Sequence, residues 1–236
     1  DEYRPDAEAE QLYALVMESF RFITPTEAAS SYAALLTWEG EIDGACYTLT
    51  IQPSGEAAVN VCGDAAVMTT TLGSDNTEWA AVQQQFGDIN AETAAGKIVF
   101  QGQGSAQSDA WAQALATWAS FTAMEINAAR SSAAVRTTLA WQLSTTPEHS
   151  GLCSQLIVLA YGYAYANQIP CDGNGQSTQV AMGWLTDAEL DSFQDWVANG
   201  ARIEGENGYL DAKGDTAINP EQLTGWASGV YNRMLQ

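Results

Sequence analysis

Alternating apolar and polar residues mark two similar stretches of the chain, one around Trp38 and one around Trp141. Each stretch begins with an apolar segment that ends in tryptophan and continues through a polar turn to a cysteine. Two further alternating segments, separated by a turn, then lead to a second cysteine. Alternation with a period of two is typical of a β-strand with one buried face. Both stretches are therefore predicted to form antiparallel strands joined by short turns.

A helical pattern follows each of these stretches. The segments DNTEWAAVQQQFG from Asp75 and TDAELDSFQDWVANG from Thr186 carry apolar residues at spacings of three and four. Each opens with a polar residue followed three positions later by a glutamate, Glu78 or Glu189. This spacing is typical of a capping box, in which the glutamate carboxylate accepts from the first backbone amide of the helix.

A short strand and a closing helix complete each unit. The strands are predicted at KIVFQ (97–101) and GYLDA (208–212), and helical spacing of apolar residues follows both. The second closing helix is expected to start at Asn219-Pro220, because proline suits the first helical position. Since these landmarks keep their order, we interpret the chain as a duplicated unit. The alternative is a chance similarity between two segments of mixed strand and helix.

The predicted fold class is α+β, with two tandem copies of an antiparallel β-meander of about four to five strands packed with helices. A further helix precedes the first copy. Within each unit, four meander strands are expected to lead into a helix, a fifth strand and the closing helix. The predicted boundaries are 1–30 for the N-terminal tether and helix, 31–128 for repeat unit 1 and 129–236 for repeat unit 2.

The four cysteines can pair in about three ways, and hairpin geometry selects one of them. The first two cysteines are symmetric about Ser54 and the last two about Gly162, so each pair should lie across a hairpin. A four-cysteine metal site would need CxxC pairs, which the sequence lacks. Disulfides persist outside the cytosol, so the periplasm, cell surface or medium is expected. The predicted bonds are Cys46–Cys62 and Cys153–Cys171.

Composition excludes several classes of partner. The 236 residues include 29 acidic and 8 basic ones, giving a formal net charge of −21. Such a surface repels phosphate backbones, so no nucleic-acid partner is expected. No apolar run approaches the roughly 20 residues of a transmembrane helix. The start at Asp1 is consistent with removal of a leader, and whether a lipid anchor preceded it is left open.

The candidate chemistry is sparse, and no catalytic residue, cofactor or metal is predicted. His149 is the one histidine, and its flanking Pro147 and Gly151 favour an exposed loop over a preorganised site. DGNGQ (172–176) and DAKGDTAINPEQ (211–222) resemble calcium loops but lack the glutamate at loop position twelve, so turns are favoured.

Three tyrosines at the tip of the second hairpin are the candidate contact surface. Tyr161, Tyr163 and Tyr165 have the same parity and should share one face of the hairpin. Exposed tyrosines suit contact with another protein or a surface glycan. The alternative is that they pack on the neighbouring copy or cover the sheet.

The sequence thus favours a non-enzymatic exported envelope or extracellular protein that serves as a structural or partner-binding module. One alternative is an extracellular hydrolase of the glycosidase type, which needs only two carboxylates. Another is an inhibitor or accessory subunit of a larger membrane complex, docked through its acidic face.

Overall fold

The computed structural model describes residues 35–62, 67–72, 77–128, 137–143, 151–172 and 176–236. Within this part, four α-helices and two antiparallel or mixed sheets define the predicted α+β class. Leu35–Gln236 form one compact unit. The helix predicted within residues 1–30 lies outside the described residues. Below, residues 35–128 are called the first half and residues 137–236 the second half.

Sheet 1 belongs to the first half and has six strands. These are β1 (Leu36–Ile42), β2 (Ala45–Ile51), β3 (Glu56–Val61), β4 (Val67–Thr71), β5 (Ile89–Thr93) and β6 (Gly96–Phe100). Sheet 2 belongs to the second half and has seven strands. These are β7 (Thr137–Gln142), β8 (Leu152–Leu159), β9 (Tyr163–Pro170), β10 (Thr178–Trp184), β11 (Ala201–Gly205), β12 (Gly208–Asp211) and β13 (Thr216–Ala217).

Two helices accompany each sheet. They are α1 (Thr77–Gln85) and α2 (Asp109–Ala128) in the first half, and α3 (Asp187–Ala198) and α4 (Pro220–Met234) in the second. Helix α4 begins as predicted, because the side chain of Asn219 accepts from the amide of Glu221 at 2.8 Å and Pro220 occupies the first turn.

The two sheets have the same strand order. Sheet 1 runs β4-β3-β2-β1-β6-β5 and sheet 2 runs β10-β9-β8-β7-β12-β11, with β13 added parallel to β11. The prediction of one strand between the two helices of each unit is wrong, because β5 and β11 were missed. Both are five-residue segments with few apolar residues, and each is stabilised by pairing with the strand that follows it.

Both predicted disulfides are present, with Cα–Cα distances of 5.3 Å and 5.1 Å. Cys46 and Cys62 lie opposite each other, and the amide of Cys62 donates to the carbonyl of Cys46. The second bond is diagonal, because Cys153 pairs in register with Ile169. The pairing of Val158 with Ala164 places the centre of the turn between β8 and β9 at Tyr161. The predicted centre, Gly162, is one residue later.

Two tryptophans at corresponding positions of the two sheets lie in the shared hydrophobic core. Trp38 on β1 and Trp141 on β7 are 1% and 2% exposed. The indole of Trp38 donates to the carbonyl of Ala95 at 2.8 Å, in the turn between β5 and β6. In sheet 2 the β11–β12 hairpin is shorter than the β5–β6 hairpin of sheet 1. Trp141 therefore pairs with Gly208, the first residue of β12. Trp141 donates instead to the hydroxyl of Thr224 on α4, at 3.0 Å.

Helix α2 occupies a central position. It packs against the strands of sheet 1 and also contacts α3 of the second half. Accordingly, buried residues lie on more than one side of it, as expected for a helix enclosed by protein. They are Trp111, Ala112, Ala114, Leu115, Ala116, Trp118, Ala119, Thr122 and Ala123.

Candidate functional site

The tyrosines of the second hairpin do not form an exposed surface. Tyr161 and Tyr163 are only 1% and 2% exposed, and Tyr165 is half-buried. The hydroxyls of Tyr161 and Tyr165 donate to the two carboxylate oxygens of Glu78 on α1, at 2.7 Å and 3.0 Å. The contact-surface hypothesis is therefore corrected in favour of its alternative, since these side chains pack on the first half.

An aromatic cluster continues this junction. The ring of Trp184 lies edge-on to Phe86 at 5.0 Å and to Tyr163 at 5.2 Å between centroids, and 6.0 Å from Trp111. The indole of Trp111 donates to the carboxylate of Asp187 at 2.6 Å. Burial, and the nearby negative charge of Glu78, raise the pKa of Tyr163. The junction is therefore a closely packed interior that keeps the two halves in a fixed relation.

Glu189 joins the two helices of the second half. Its carboxylate accepts from the amide of Thr186 at 2.8 Å, which is the capping contact predicted for α3. It also forms a 2.7 Å ion pair with Arg233 on α4. Burial alone would raise the pKa of Glu189, but the hydrogen bonds from Arg233 and Thr186 lower it overall. The corresponding capping residue of the first half, Asp75, lies outside the described residues.

A cleft of about 770 Å³ opens where the two halves meet. We call it the junction cleft. The first half supplies Ala94, Gln113, Thr117 and Phe121, and the second half supplies Thr137, Thr138, Ala160, Gln194, Val197, Ala198, Tyr209, Asp211, Ala212 and Lys213. Its volume lies within the range of about 300–1,000 Å³ that is typical of sites for small molecules.

Several polar side chains in the walls of the cleft are already hydrogen-bonded to protein. The side chain of Gln113 accepts from the amide of Ala94 at 3.0 Å and donates to the hydroxyl of Thr117 at 3.1 Å. That hydroxyl donates in turn to the carbonyl of Gln113 at 2.8 Å. Gln194 donates to the carbonyl of Ala110 at 2.8 Å, which also ties α3 to α2.

The two charged residues of the cleft lie close in sequence, Asp211 at the end of β12 and Lys213 in the loop that follows. Asp211 accepts from the backbone amide of Lys213 at 2.9 Å, and Lys213 adopts a positive φ of 57°. Both side chains are exposed, so they mark the rim of the cleft. Their formal charges cancel. Tyr209, which is 37% exposed, adds a phenol to the cleft lining.

The remaining candidates form no catalytic or metal site among the described residues. His149 lies outside the described residues, as do residues 173–175 of the first calcium-like segment. The second segment, 211–222, runs from the end of β12 through β13 into α4, as the turn interpretation predicts. In the described part, one group brings three potential metal ligands together, namely Glu39, Cys46 and Cys62. Its two sulfurs are bonded to each other and so provide no thiolate.

Sequence reasoning missed the junction cleft entirely. Its lining comes from two helices, two strands and several turns, and the two halves contribute residues distant in sequence. The one local signal is the pair Gln113 and Thr117, polar residues four apart in a largely apolar helix, which therefore face the same side.

Comparison with known protein families, curated proteins and solved structures gives no match. Of the helices in the described part of the chain, none has the length and apolar character needed to cross a membrane. The physical site must therefore carry the functional argument.

Proposed function

We propose that this protein is a non-enzymatic exported binding module that holds a small molecule in the junction cleft. The observation that carries the proposal is the cleft itself, a concavity of about 770 Å³ between two halves that each contain a disulfide bond. Clefts at junctions between structural units are common binding sites. The disulfides support an extracytoplasmic location, because such bonds persist in oxidising compartments.

The shared strand order of the two sheets supports an origin by duplication of one unit. Duplication explains why a cleft exists between the halves. Two similar units placed side by side create a junction that neither unit has alone, and that junction is free to take on a new role. The aromatic cluster around Trp184 then fixes the junction, so that the cleft keeps its shape.

The cleft favours binding over hydrolysis. A glycosidase holds two carboxyl groups about 5–10 Å apart across its cleft. The described lining of the junction cleft includes one carboxylate, Asp211, whose Oδ1 accepts from the backbone amide of Lys213.

Docking onto a basic partner is the second candidate function, and the net charge of −21 favours it. In that case, association with the partner should weaken steeply with added salt.

The test uses two tryptophan substitutions on the same helix. Ala198 lies at the end of α3 and lines the cleft, whereas Ala188 is exposed at the start of α3 and lies outside the lining. Ten residues of helix place these two positions about 15 Å apart. We expect Ala198→Trp to fill the cleft and Ala188→Trp to leave it open.

The measurement is saturable binding of Nile red, an uncharged apolar dye, followed by its fluorescence. Wild type and Ala188→Trp should bind the dye alike, and Ala198→Trp should bind at least about tenfold more weakly, a loss of about 1.4 kcal/mol. Equal binding by the two variants, or no saturable binding by wild type, would exclude the cleft as the site.

A further inference from the structure

Resting on the proposed binding function, we infer that the ligand of the junction cleft is an uncharged, largely apolar molecule that enters with its apolar end first. Three features of the protein support this inference: the polar groups in the walls, the charges at the rim and the charge of the whole chain.

Two polar side chains of the walls, Gln113 and Thr117, already use their hydrogen-bonding groups within the protein. The carboxamide of Gln113 already has partners for its oxygen and its nitrogen, and the hydroxyl of Thr117 both accepts and donates. A polar ligand group pushed against these side chains would lose its water without gaining a hydrogen bond, which costs free energy. Phe121, Val197 and the alanines of the lining instead favour the burial of apolar surface of a ligand.

The rim provides the polar contacts that remain. Tyr209 and Lys213 carry donors, and Asp211 has a carboxylate oxygen besides the one that accepts from the backbone of Lys213. A hydroxyl or amide group suits this mixed set, because it can donate to the carboxylate and accept from the phenol or the ammonium. Such a group would remain close to water while the apolar body of the ligand is buried.

The net charge of the chain disfavours the binding of an anionic ligand. With a net charge of −21, the protein lowers the local concentration of anions around its whole surface. Lys213 is a single exposed ammonium beside Asp211, so the two charges largely cancel at the distance of a bound ligand. A cation is attracted to the acidic surface in general rather than to the cleft, and salt screens that attraction.

Three naphthalene probes of similar size and different charge test this inference. They are 1-naphthylacetamide, which is neutral, 1-naphthylacetate, which is an anion, and 2-(1-naphthyl)ethylammonium, which is a cation. Each is titrated by calorimetry into wild type, Ala198→Trp and Ala188→Trp at low and at 300 mM salt. Binding counts as cleft binding only when Ala198→Trp abolishes it and Ala188→Trp retains it.

We expect the amide to bind the cleft at least tenfold more tightly than the acetate at low salt, with little change on adding salt. The ammonium probe should bind both tryptophan variants alike, and salt should remove that binding. If a charged probe binds the cleft most tightly, the inference on ligand charge is wrong while the binding function survives. If no probe shows binding that depends on Ala198, the binding function fails, and the inference fails with it.

Discussion

The carboxylate of Glu78 accepts a hydrogen bond from the hydroxyl of Tyr161 at 2.7 Å, and so joins helix α1 to a hairpin turn that lies 83 residues later in the chain. Tyr161 is 1% exposed, so its hydroxyl has little access to water in place of this partner. Hydrogen bonds to charged groups are among the stronger ones in proteins, and an unpaired buried donor is costly. The pair should therefore contribute to holding the two halves together.

A double-mutant cycle of Glu78→Gln and Tyr161→Phe measures this contribution. We expect each single change to lower the free energy of unfolding, and the pair to show a coupling of about 1–2 kcal/mol in urea titrations. The control cycle combines Tyr161→Phe with Glu206→Gln, at an exposed position in the turn between β11 and β12. That cycle should be additive within about 0.5 kcal/mol. Similar coupling in both cycles would contradict a direct interaction.

Glu189 should make the stability of the protein depend on acid pH. Its pKa in the folded state is lowered, so its contribution is fully present above the unfolded value of about 4.3 and is lost as the pH falls through the folded value. Glu189→Gln should cost about 1 kcal/mol at pH 7, the size of a partly exposed ion pair, because glutamine can still accept from the amide of Thr186. Near pH 2 the difference from wild type should be much smaller.

The matched control for this experiment is Asp191→Asn, an exposed acid on the same helix. Unfolding midpoints in urea across the acid range report the difference between each variant and wild type. A Glu189→Gln deficit that stays constant from pH 7 to pH 2 would show that the carboxylate charge is not the source of the stability.

Thr224 should stabilise the second half through the indole of Trp141. Its hydroxyl accepts from that buried indole at 3.0 Å and donates to the carbonyl of Pro220 at 2.8 Å. Thr224→Val keeps the shape but removes the acceptor, so a loss of about 1–2 kcal/mol is expected on thermal or urea unfolding. Thr224→Ser keeps the hydroxyl and should retain most of the stability. Equal losses for the two variants would assign the effect to packing.

The two disulfides should differ in their access to reductant. Cys46 and Cys62 are exposed, whereas Cys153 is 1% exposed. The sequence separations are similar, 16 and 18 residues, so the two bonds constrain the unfolded chain to a similar degree. Brief treatment of the folded protein with dithiothreitol and then iodoacetamide should label Cys46 and Cys62 first, as read by peptide mass mapping. After denaturation in urea, all four cysteines should be labelled together.

The sequence predicts local features well and long-range ones poorly. The cysteines of each pair lie at equal distances in sequence on either side of a turn, and this symmetry predicts both disulfide pairs. The Asn219-Pro220 pair predicts the start of α4. The strand β5 was missed because INAET contains few apolar residues, and pairing with β6 stabilises it. The burial of Tyr161 could not be predicted, because the glutamate that covers it belongs to a distant helix.

The contacts of helix α2 and of the aromatic cluster join the two halves, so separating the halves would expose apolar side chains. Residues 137–236 produced alone would present Tyr161 and Trp184 to solvent, where Phe121, Phe86 and Glu78 of the first half now contact them. Such a fragment should self-associate and require detergent or fusion partners to stay dispersed. The halves therefore cannot be exchanged between proteins as independent modules. A chimera that replaces one half must also carry the aromatic residues that contact the other half.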